Sequence, residues 1–370
     1  MIQSLYIRNF KSIKDHWLDL DNLNILIGPN GAGKSNFISL FKFLGKLSGG
    51  QLAEYIFQSG GINTFLFKGY EESQSLSINL DIKEIETRPQ FYKFDITSDG
   101  ESYQILEETI GYRPSENNQG ISHRIGNGTK ESKIHESELN QLIVATKKIF
   151  DNIFNIFKIY HFHDTSDNAP IKLPQDIEDV YHFKPEGENL APFLLLLKEQ
   201  HFDTYYKIVE TTRLVYPFFH DFVLEESPRA KGKVMLRWKE KGNGLIYSAK
   251  QISDGTLRFI CLATLLLQPA GSPYVPRTII LDEPELGLHP FAINILAELI
   301  QKAAMEKQVI VATQSVGLIN HFTPKDLLIT ERAQNGATEF KRLKDGDFKK
   351  WLEDYSLGQL WESNFFGGRP

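Results

Sequence analysis

Cysteine is almost absent from this chain of 370 residues, which contains a single one, Cys261. One cysteine cannot form a disulfide within the chain, so the sequence is unlike the disulfide-rich secreted domains and fits a reducing compartment. Long apolar runs are also missing: the longest, Phe259 to Leu267, is about half of the ~20 residues that a membrane span requires. The start, MIQSLYIRNFKSIKD, lacks the apolar region of a signal peptide. We therefore expect a cytoplasmic protein without membrane contact.

An excess of positive charge is lacking as well. Lys and Arg total 41 against 47 for Asp and Glu, which gives a formal net charge of −6. This balance disfavours a protein that coats nucleic acid through bulk electrostatics, but it leaves a local contact with DNA open. No sustained heptad repeat occurs, so long coiled coils are excluded. Hydrophobic residues make up 41% of the chain, as in globular proteins with a sizeable core.

Strand and helix patterns alternate at both ends of the chain. Near the N-terminus the apolar run LNILIG predicts a strand that leads into a helix over about 35–47, and segments within 76–110 predict an antiparallel sheet. Near the C-terminus a helix over 254–267 precedes the predicted strands TIILDEPE and QVIVATQS. Such alternation predicts one α/β core closed by the two ends of the chain.

The middle of the chain has a different pattern. Residues 112–135 are rich in Gly, Asn and Ser and predict a loop, whereas 136–228 predict a largely helical insertion. We therefore divide the chain into an N-terminal part of the core with its β subdomain (1–110), a loop and helical insertion (111–230), and a C-terminal part of the core (231–370).

A glycine-rich turn, GPNGAGKS, begins at Gly28 and fits the P-loop pattern G-x-x-x-x-G-K-[ST] between a predicted strand and helix. Backbone N–H groups of such a turn close around phosphates at a helix N-terminus. We expect the Lys34 ammonium to bind the β and γ phosphates of ATP and the Ser35 hydroxyl to be a ligand for Mg²⁺. The predicted nucleotide-binding residues of this turn are Asn30, Gly31, Ala32, Gly33, Lys34, Ser35 and Asn36.

Two acids follow the apolar strand TIIL. Asp282 lies at the predicted carboxyl end of that strand, where parallel sheets bind their ligands, and suits a Mg²⁺ site. Glu283, one residue further, is placed to activate the attacking water. A strand that ends in two acids is common by itself, and the P-loop upstream is what favours the catalytic interpretation.

DEPELGLHP (282–290) and SDGTLRF (253–259) resemble the Walker B, D-loop and signature sequences of ATPases of the ABC/SMC class. The likeness is strongest to the AAA-labelled group that includes the overcoming-lysogenization-defect proteins, and it extends over nearly the whole chain. It implies an ABC/SMC-type P-loop ATPase core with an antiparallel β subdomain and a helical insertion. It also implies that Ser253 and Gly255 complete the γ-phosphate site of a second copy.

The resemblance assigns two further positions. Gln314 follows the strand QVIVAT, where this class usually has a switch histidine; glutamine can donate a hydrogen bond but cannot become a cation. Arg8, in the segment RNFK, matches a residue that flanks the nucleotide. Glu283, Lys34 and Gln314 are thus the expected catalytic residues. The resemblance further implies phage defence or DNA repair as an ATP-dependent homodimer, with a small Toprim-like or other effector protein as partner.

Two other patterns are better explained by structural roles than by functional ones. LSGGQ (47–51) reproduces the signature of ABC transporters, but it begins only 13 residues after Lys34, at the predicted end of the P-loop helix. We interpret its glycines as a helix cap. His161 and His163 share one face of a strand but lack further spaced ligands, which favours a structural role over a metal site.

Three functions are weighed. The favoured one is an ATP-hydrolysing switch that dimerises around ATP. The alternatives are the nucleotide-binding subunit of an ABC transporter, and an ATP-gated binding module with little hydrolysis. The misplaced LSGGQ and the SDGTLRF variant disfavour the transporter, and Glu283 disfavours the module without hydrolysis.

Overall fold

Strands and helices alternate in the C-terminal part of the chain, whereas several strands follow one another in the middle. The computed structural model describes residues 1–82, 90–113, 121–134, 157–227, 230–269 and 271–368. In chain order the strands are β1 (Ile2–Phe10), β2 (Ile13–Asp19), β3 (Leu23–Ile27), β4 (Ser75–Ile82), β5 (Gln90–Ser98), β6 (Tyr103–Tyr112), β7 (Ile121–Gly126), β8 (Phe157–Tyr160), β9 (Gln175–Asp176), β10 (Phe219–Phe222), β11 (Glu226–Ser227), β12 (Ala230–Val234), β13 (Arg237–Glu240), β14 (Ile246–Ser248), β15 (Thr278–Asp282), β16 (Gln308–Ala312), β17 (Leu327–Arg332) and β18 (Thr338–Arg342). The helices are α1 (Lys34–Ser48), α2 (Leu52–Gln58), α3 (Leu190–Gln200), α4 (Phe202–Val215), α5 (Asp254–Leu266), α6 (Pro290–Ala304), α7 (Val316–Ile319), α8 (Asp345–Phe348) and α9 (Leu357–Glu362).

A six-stranded sheet in the order β18-β17-β3-β16-β15-β8 forms the centre of the protein. Strands β17, β3, β16, β15 and β8 run parallel, and β18 is antiparallel to β17. Because parallel strands share one direction, the residues that follow β3, β8, β15 and β16 all lie at the same edge of the sheet. This edge positions the candidate site.

The central sheet separates two hydrophobic cores. Along β15, Ile279 and Leu281 point into one core, and Ile280 points into the other, as the two-residue period of a strand requires. The first core includes residues of α3, α4, α5 and α6. The second core joins α1 to the antiparallel sheet β2-β1-β4-β5-β6-β7. The predicted α/β core with an antiparallel β subdomain is confirmed.

The predicted P-loop helix is confirmed as α1. Its apolar face is buried, with Phe37, Leu40, Phe41 and Leu44 all packed into the second core. The helix ends where the glycine pair of LSGGQ was interpreted as a cap: the Gly49 N–H donates to the Gly45 carbonyl, and Gly50 has a left-handed φ of 64°. The pentapeptide is therefore the C-terminal end of a helix.

Two expectations for the middle of the chain need correction. The loop predicted over 112–135 contains β7, which pairs with β6 and extends the antiparallel sheet. The helical insertion predicted over 136–228 contains β8, which pairs in parallel with β15 in the central sheet. Residues 135–156 lie outside the described part, so the helix expected there is not described. A buried strand of four residues has no periodicity that distinguishes it from a helical turn, which explains the second error.

The two helices of this region pack as part of the protein core. Phe193 and Leu197 of α3 and Ile208 of α4 lie in the same core as Phe259 and Ile260 of α5. The segment 111–230 therefore supplies both a strand and helices to the α/β core. The proposed boundaries at 110 and 230 remain a prediction of domain organisation.

Candidate nucleotide site

The glycine-rich turn joins β3 to α1 as predicted. Gly33, immediately before α1, has a φ of 118°, and a Cβ at this position would lie 2.1 Å from the Thr338 hydroxyl oxygen. A side chain here would be both strained and obstructed, so the position requires glycine. Ser35, in the first turn of α1, is exposed. Its hydroxyl is thus accessible beside the helix N-terminus, where anions are favoured.

Lys34 is the first residue of α1, and its side chain is buried. Its Nζ donates hydrogen bonds to the carbonyl oxygens of Gly28 at 2.5 Å and Pro29 at 3.2 Å. Burial lowers the pKa of Lys34, and the charges of Glu283 and Asp282 oppose this shift. The P-loop lysine and the two acids that follow β15 therefore share one electrostatic environment.

Hydrogen bonds from a distant part of the chain support the turn. The Asn36 amide donates to Ser12 Oγ at 2.7 Å, Ser12 Oγ lies 2.7 Å from Thr338 Oγ1, and Thr338 Oγ1 donates to the Ala32 carbonyl at 2.8 Å. Because each hydroxyl has one proton, the bonds run in one direction from Asn36 to Ala32. The Asn36 side chain is therefore engaged in holding the turn.

The acids lie at the same sheet edge. Asp282 ends β15, and its pKa is raised by burial and by the neighbouring Glu283. Glu283 has a φ of 45°, which is unusual for a residue with a side chain, and its N–H donates to the Ala312 carbonyl at 2.8 Å. The Gln314 amide donates to Glu283 Oε1 at 2.8 Å. The predicted residues Asp282, Glu283 and Gln314 are thus brought together.

A third acid, Glu285, was not selected from the sequence. It accepts a hydrogen bond from Thr313 Oγ1 at 2.5 Å, and burial raises its pKa. Thr313 directly follows β16, so this bond joins the loop after β15 to the loop after β16. The two loops are therefore connected twice, by Thr313 to Glu285 and by Gln314 to Glu283.

A pocket beside the turn contains three cationic side chains that the sequence analysis did not assign. Lys11, Lys68 and Arg332 line it together with Ser12 and other residues. The end of β1 and the segment 65–68 are joined by backbone hydrogen bonds from Lys11 N–H to Phe65 and from Phe67 N–H to Asn9. Arg332 Nη1 also donates to the Gly31 carbonyl at 3.1 Å. Such a pocket can accommodate the polyanionic end of a nucleotide.

Arg8 is not among the residues that line this pocket. It is an exposed residue of β1, opposite Asp15 of β2 and Ser77 of β4. Lys11, three residues further along the same segment, is the basic residue that reaches the pocket. No pattern in the sequence distinguishes the two, because which of them reaches the turn depends on the backbone at Asn9 and Lys11, whose φ angles are 57° and 50°.

The predicted signature residues lie at the N-terminus of α5. Ser253 caps this helix: its Oγ accepts the Thr256 N–H at 3.2 Å. Gly255 packs against the loop after β15, where a Cβ would lie 2.5 Å from the Gly287 carbonyl oxygen. Within the described part of the chain, no hydrogen bond joins Ser253 to the P-loop of the same molecule. Its exposed position leaves it available to another molecule.

His161 and His163 directly follow β8. His163 lines a small pocket together with Asp282, Glu283 and Arg258. Among the residues that the structure describes, no group of three or more His, Cys, Asp or Glu side chains could hold a metal ion. In the same described ranges, every helix is too short or too polar to cross a membrane.

A family model described as "AAA domain, putative AbiEii toxin, Type IV TA system" matches residues 23–320. The chain belongs to this family. Two solved structures share its fold at 16% sequence identity. One is an SMC head bound to the C-terminal winged-helix domain of ScpA; the alignment covers 94% of this chain and 99% of that one, with a TM-score of 0.61.

The other is the SMC head domain with an extended coiled coil, bound to the C-terminal domain of ScpA, from Pyrococcus furiosus. The alignment covers 95% of this chain and 98% of that one, with a TM-score of 0.56. No curated protein matches the sequence. The predicted ABC/SMC-class P-loop ATPase fold is thus confirmed, and the AAA-domain family supports an ATP-binding module. The closer relation to the overcoming-lysogenization-defect proteins remains a prediction.

Proposed function

We propose that this protein is an ATP-hydrolysing switch in which two copies close around two ATP molecules. The observation that carries the proposal is the shared electrostatic environment of Lys34, Asp282 and Glu283 at the carboxyl edge of one parallel sheet. A lysine at a helix N-terminus and a pair of acids at this edge are what phosphoryl transfer from a nucleotide requires.

The turn and α1 bind the triphosphate. Backbone N–H groups of residues 31–35 face the phosphates, and Lys34 donates to the β and γ phosphates. Ser35 and Asp282 offer a hydroxyl and a carboxylate, the oxygen ligands that suit Mg²⁺. Burial of Asp282 beside Glu283 concentrates negative charge, which a divalent cation would neutralise. When bound, Mg²⁺ supplies charge neutralisation of the phosphate oxygens.

Glu283 accepts the proton of the attacking water, and the Gln314 amide orients the Glu283 carboxylate through their 2.8 Å hydrogen bond. Gln314 cannot itself accept a proton as a histidine would, so its role is to orient Glu283 and to contact the γ-phosphate. Glu285 is half-buried and accepts the hydrogen bond of Thr313, so it holds the loop.

Ser253 and Gly255 contact the γ-phosphate bound to the second copy. The N-terminus of α5, a helix of 13 residues, favours an anion, and the Ser253 hydroxyl adds a donor. ATP thereby connects the two copies, and hydrolysis reopens them. ATP and Mg²⁺ are the cofactors of this switch.

The partner is a small Toprim-like or other effector protein, and the process is phage defence or DNA repair. The family description, which names a toxin of a type IV toxin–antitoxin system, agrees with a defence role. The two SMC heads are each bound to a domain of ScpA, which supports protein partners for this fold. DNA contact remains part of the proposal as a local interaction.

The alternatives have less support. LSGGQ ends α1, so it is not in a position to act as a transporter signature. The hydrogen bond between Gln314 and Glu283 gives the catalytic base a defined orientation, which a module without hydrolysis would not need.

Two substitutions test nucleotide binding and hydrolysis. We expect Lys34→Ala to abolish tight binding of ATP·Mg²⁺, because the substitution removes the ammonium group that contacts the β and γ phosphates. Glu283→Gln retains binding and loses about 10²–10⁴-fold in turnover. Glu298→Gln, which changes an exposed glutamate on α6, is the matched control and keeps wild-type turnover. Equal ATPase rates for wild type and Glu283→Gln would refute the assignment of the base.

Light scattering tests the dimer. Glu283→Gln should double in mass when ATP is added, and the added Ser253→Arg substitution should prevent this while ATP binding persists, because a bulky cation would face the P-loop of the second copy. An ATP-loaded Glu283→Gln protein that stays monomeric would contradict the dimer. The same loaded protein is the bait for identifying the effector, with DNA binding followed across salt concentration.

A further inference from the structure

Arg258 connects three segments that are distant in the sequence. It lies in the second turn of α5, the helix that begins after Ser253. Its Nη1 donates to the Leu286 carbonyl at 3.0 Å, and its Nη2 donates to the His163 carbonyl at 2.9 Å. The guanidinium therefore bridges the loop that follows β15 and the segment that follows β8.

The same three segments are in close contact next to this side chain. A Cβ on Gly255 would lie 2.5 Å from the Gly287 carbonyl oxygen, so the start of α5 and the loop 284–288 touch through their backbones. Gly287 has a φ of 76°, and a Cβ there would lie 2.5 Å from Arg258 Nη1. The start of α5 cannot shift toward this loop without displacing it.

A second link runs from the segment after β8 to the start of α5. Lys172 Nζ lies 3.1 Å from Asp254 Oδ1, and the Lys172 side chain is only 5% exposed. A buried lysine whose carboxylate partner moves away is left uncompensated, which is costly. The residues from His163 to Lys172 therefore hold the start of α5 at two points.

The segment after β8 also borders the predicted catalytic acids. β8 and β15 are parallel neighbours, with Tyr160 opposite Leu281, so this segment leaves the sheet beside Asp282. His163 lines one small pocket with Asp282, Glu283 and Arg258. A continuous set of contacts thus runs from the acids to Ser253 and Gly255, and Arg258 lies at its centre.

We infer that Arg258 is a positioning residue that makes the segment after β8, the loop 284–288 and the start of α5 one unit, so that nucleotide bound beside Asp282 sets the position of Ser253 and Gly255. The inference rests on the proposed function. The planar guanidinium suits this task because its two terminal nitrogens reach separate carbonyl oxygens in fixed directions, which a lysine ammonium cannot do.

The test uses the full chain in the Glu283→Gln background, so that loaded ATP is not consumed. Arg258→Ala and Arg258→Lys are compared with Arg124→Ala, which removes another arginine bond to a carbonyl, that of Leu106, in the antiparallel sheet. Two quantities are measured for each variant: the affinity for ATP and the protein concentration at which half of the ATP-loaded chains are dimeric.

We expect both Arg258 variants to bind ATP within about twofold of their parent and to need at least about tenfold more protein for dimerisation, a typical coupling between sites. Arg124→Ala should change neither quantity. A structural defect alone would lower both ATP affinity and dimerisation. Arg258→Lys preserves most of the packing, so it decides the matter if Arg258→Ala does not fold. Unchanged dimerisation in Arg258→Lys would overturn the inference.

Hydrogen exchange on the monomer separates this inference from the proposed dimer. With Ser253→Arg added to block association, ATP should slow amide exchange both after β8 and in the loop 284–288. In Arg258→Lys, ATP should still slow exchange after β8 but should no longer slow it in the loop 284–288. If ATP slows exchange in 284–288 equally with and without Arg258, the inference fails even where the dimer exists. If the parent never dimerises, the dimer fails and the exchange result still decides the role of Arg258.

Discussion

Replacing Thr338 by valine should weaken the P-loop from more than 300 residues away. Thr338 is buried, donates to the Ala32 carbonyl at 2.8 Å and lies 2.7 Å from the Ser12 hydroxyl. Valine has nearly the same shape but no hydroxyl, so two buried hydrogen bonds are lost. At about 0.5–1.5 kcal/mol for each bond, the free energy of unfolding should fall by about 1–3 kcal/mol.

Thr330 on the adjacent strand is the matched control. It is equally buried, but its Oγ1 has no hydrogen-bond partner among the residues that the structure describes, so Thr330→Val should be neutral or stabilising. With an unfolding entropy of about 2.1 cal/mol/K per residue, Thr338→Val should lower Tm by about 1–4 °C. Calorimetry measures both variants, and titration with ATP should show weaker binding only for Thr338→Val. Equal stability losses in the two variants would refute this account of how the turn is held.

Burial lowers the pKa of Lys307 to about 8, so above that pH the folded protein binds fewer protons than the unfolded chain, and the free energy of unfolding rises between about pH 8 and 10. Denaturant unfolding of Lys307→Met should lack this rise. Parallel curves of unfolding free energy against pH for the wild type and the variant would contradict the prediction. Gly50→Ala should lower the free energy of unfolding in denaturant by about 1–2 kcal/mol, because Gly50 has a left-handed backbone, and should leave the ATPase rate per folded molecule unchanged. A loss of turnover would show that LSGGQ has a function. Deleting 136–228 should leave no cooperative thermal transition, because β8 and two core helices are removed, and a cooperative one would show that the ends fold alone.

The site was predictable from the sequence where its residues follow one another along the chain. Lys34 and Ser35 belong to one short string, and Asp282 and Glu283 end one apolar strand, so local patterns sufficed. Thr338 could not be found in this way: it reaches the turn because β18 pairs with β17, which pairs with β3. The fold class was likewise predictable from the alternating ends, since strand and helix periodicities are local properties.

The errors arose where tertiary contacts override local pattern. The helical pattern predicted over 136–228 extends across β8, yet β8 belongs to the parallel sheet because its residues pair with β15. The assignment of Arg8 to the nucleotide stays a prediction: Lys11 lines the pocket and Arg8 does not, and the backbone at Asn9 and Lys11 is left-handed. Such backbone angles are set by the surrounding structure and leave no signature in composition or spacing.

The position of the segment 111–230 in the core affects how ligand binding to this segment is coupled to nucleotide binding. The sequence predicted a loop and a helical insertion over 111–230, between the two parts of the core. Instead, α3 and α4 share a core with α5, whose first residues follow Ser253. Because close-packed cores transmit strain, we expect a ligand that displaces α3 or α4 to displace α5 as well. Coupling between two sites is reciprocal, so if nucleotide fixes the start of α5, as we propose, it should alter the affinity for that ligand by the same factor.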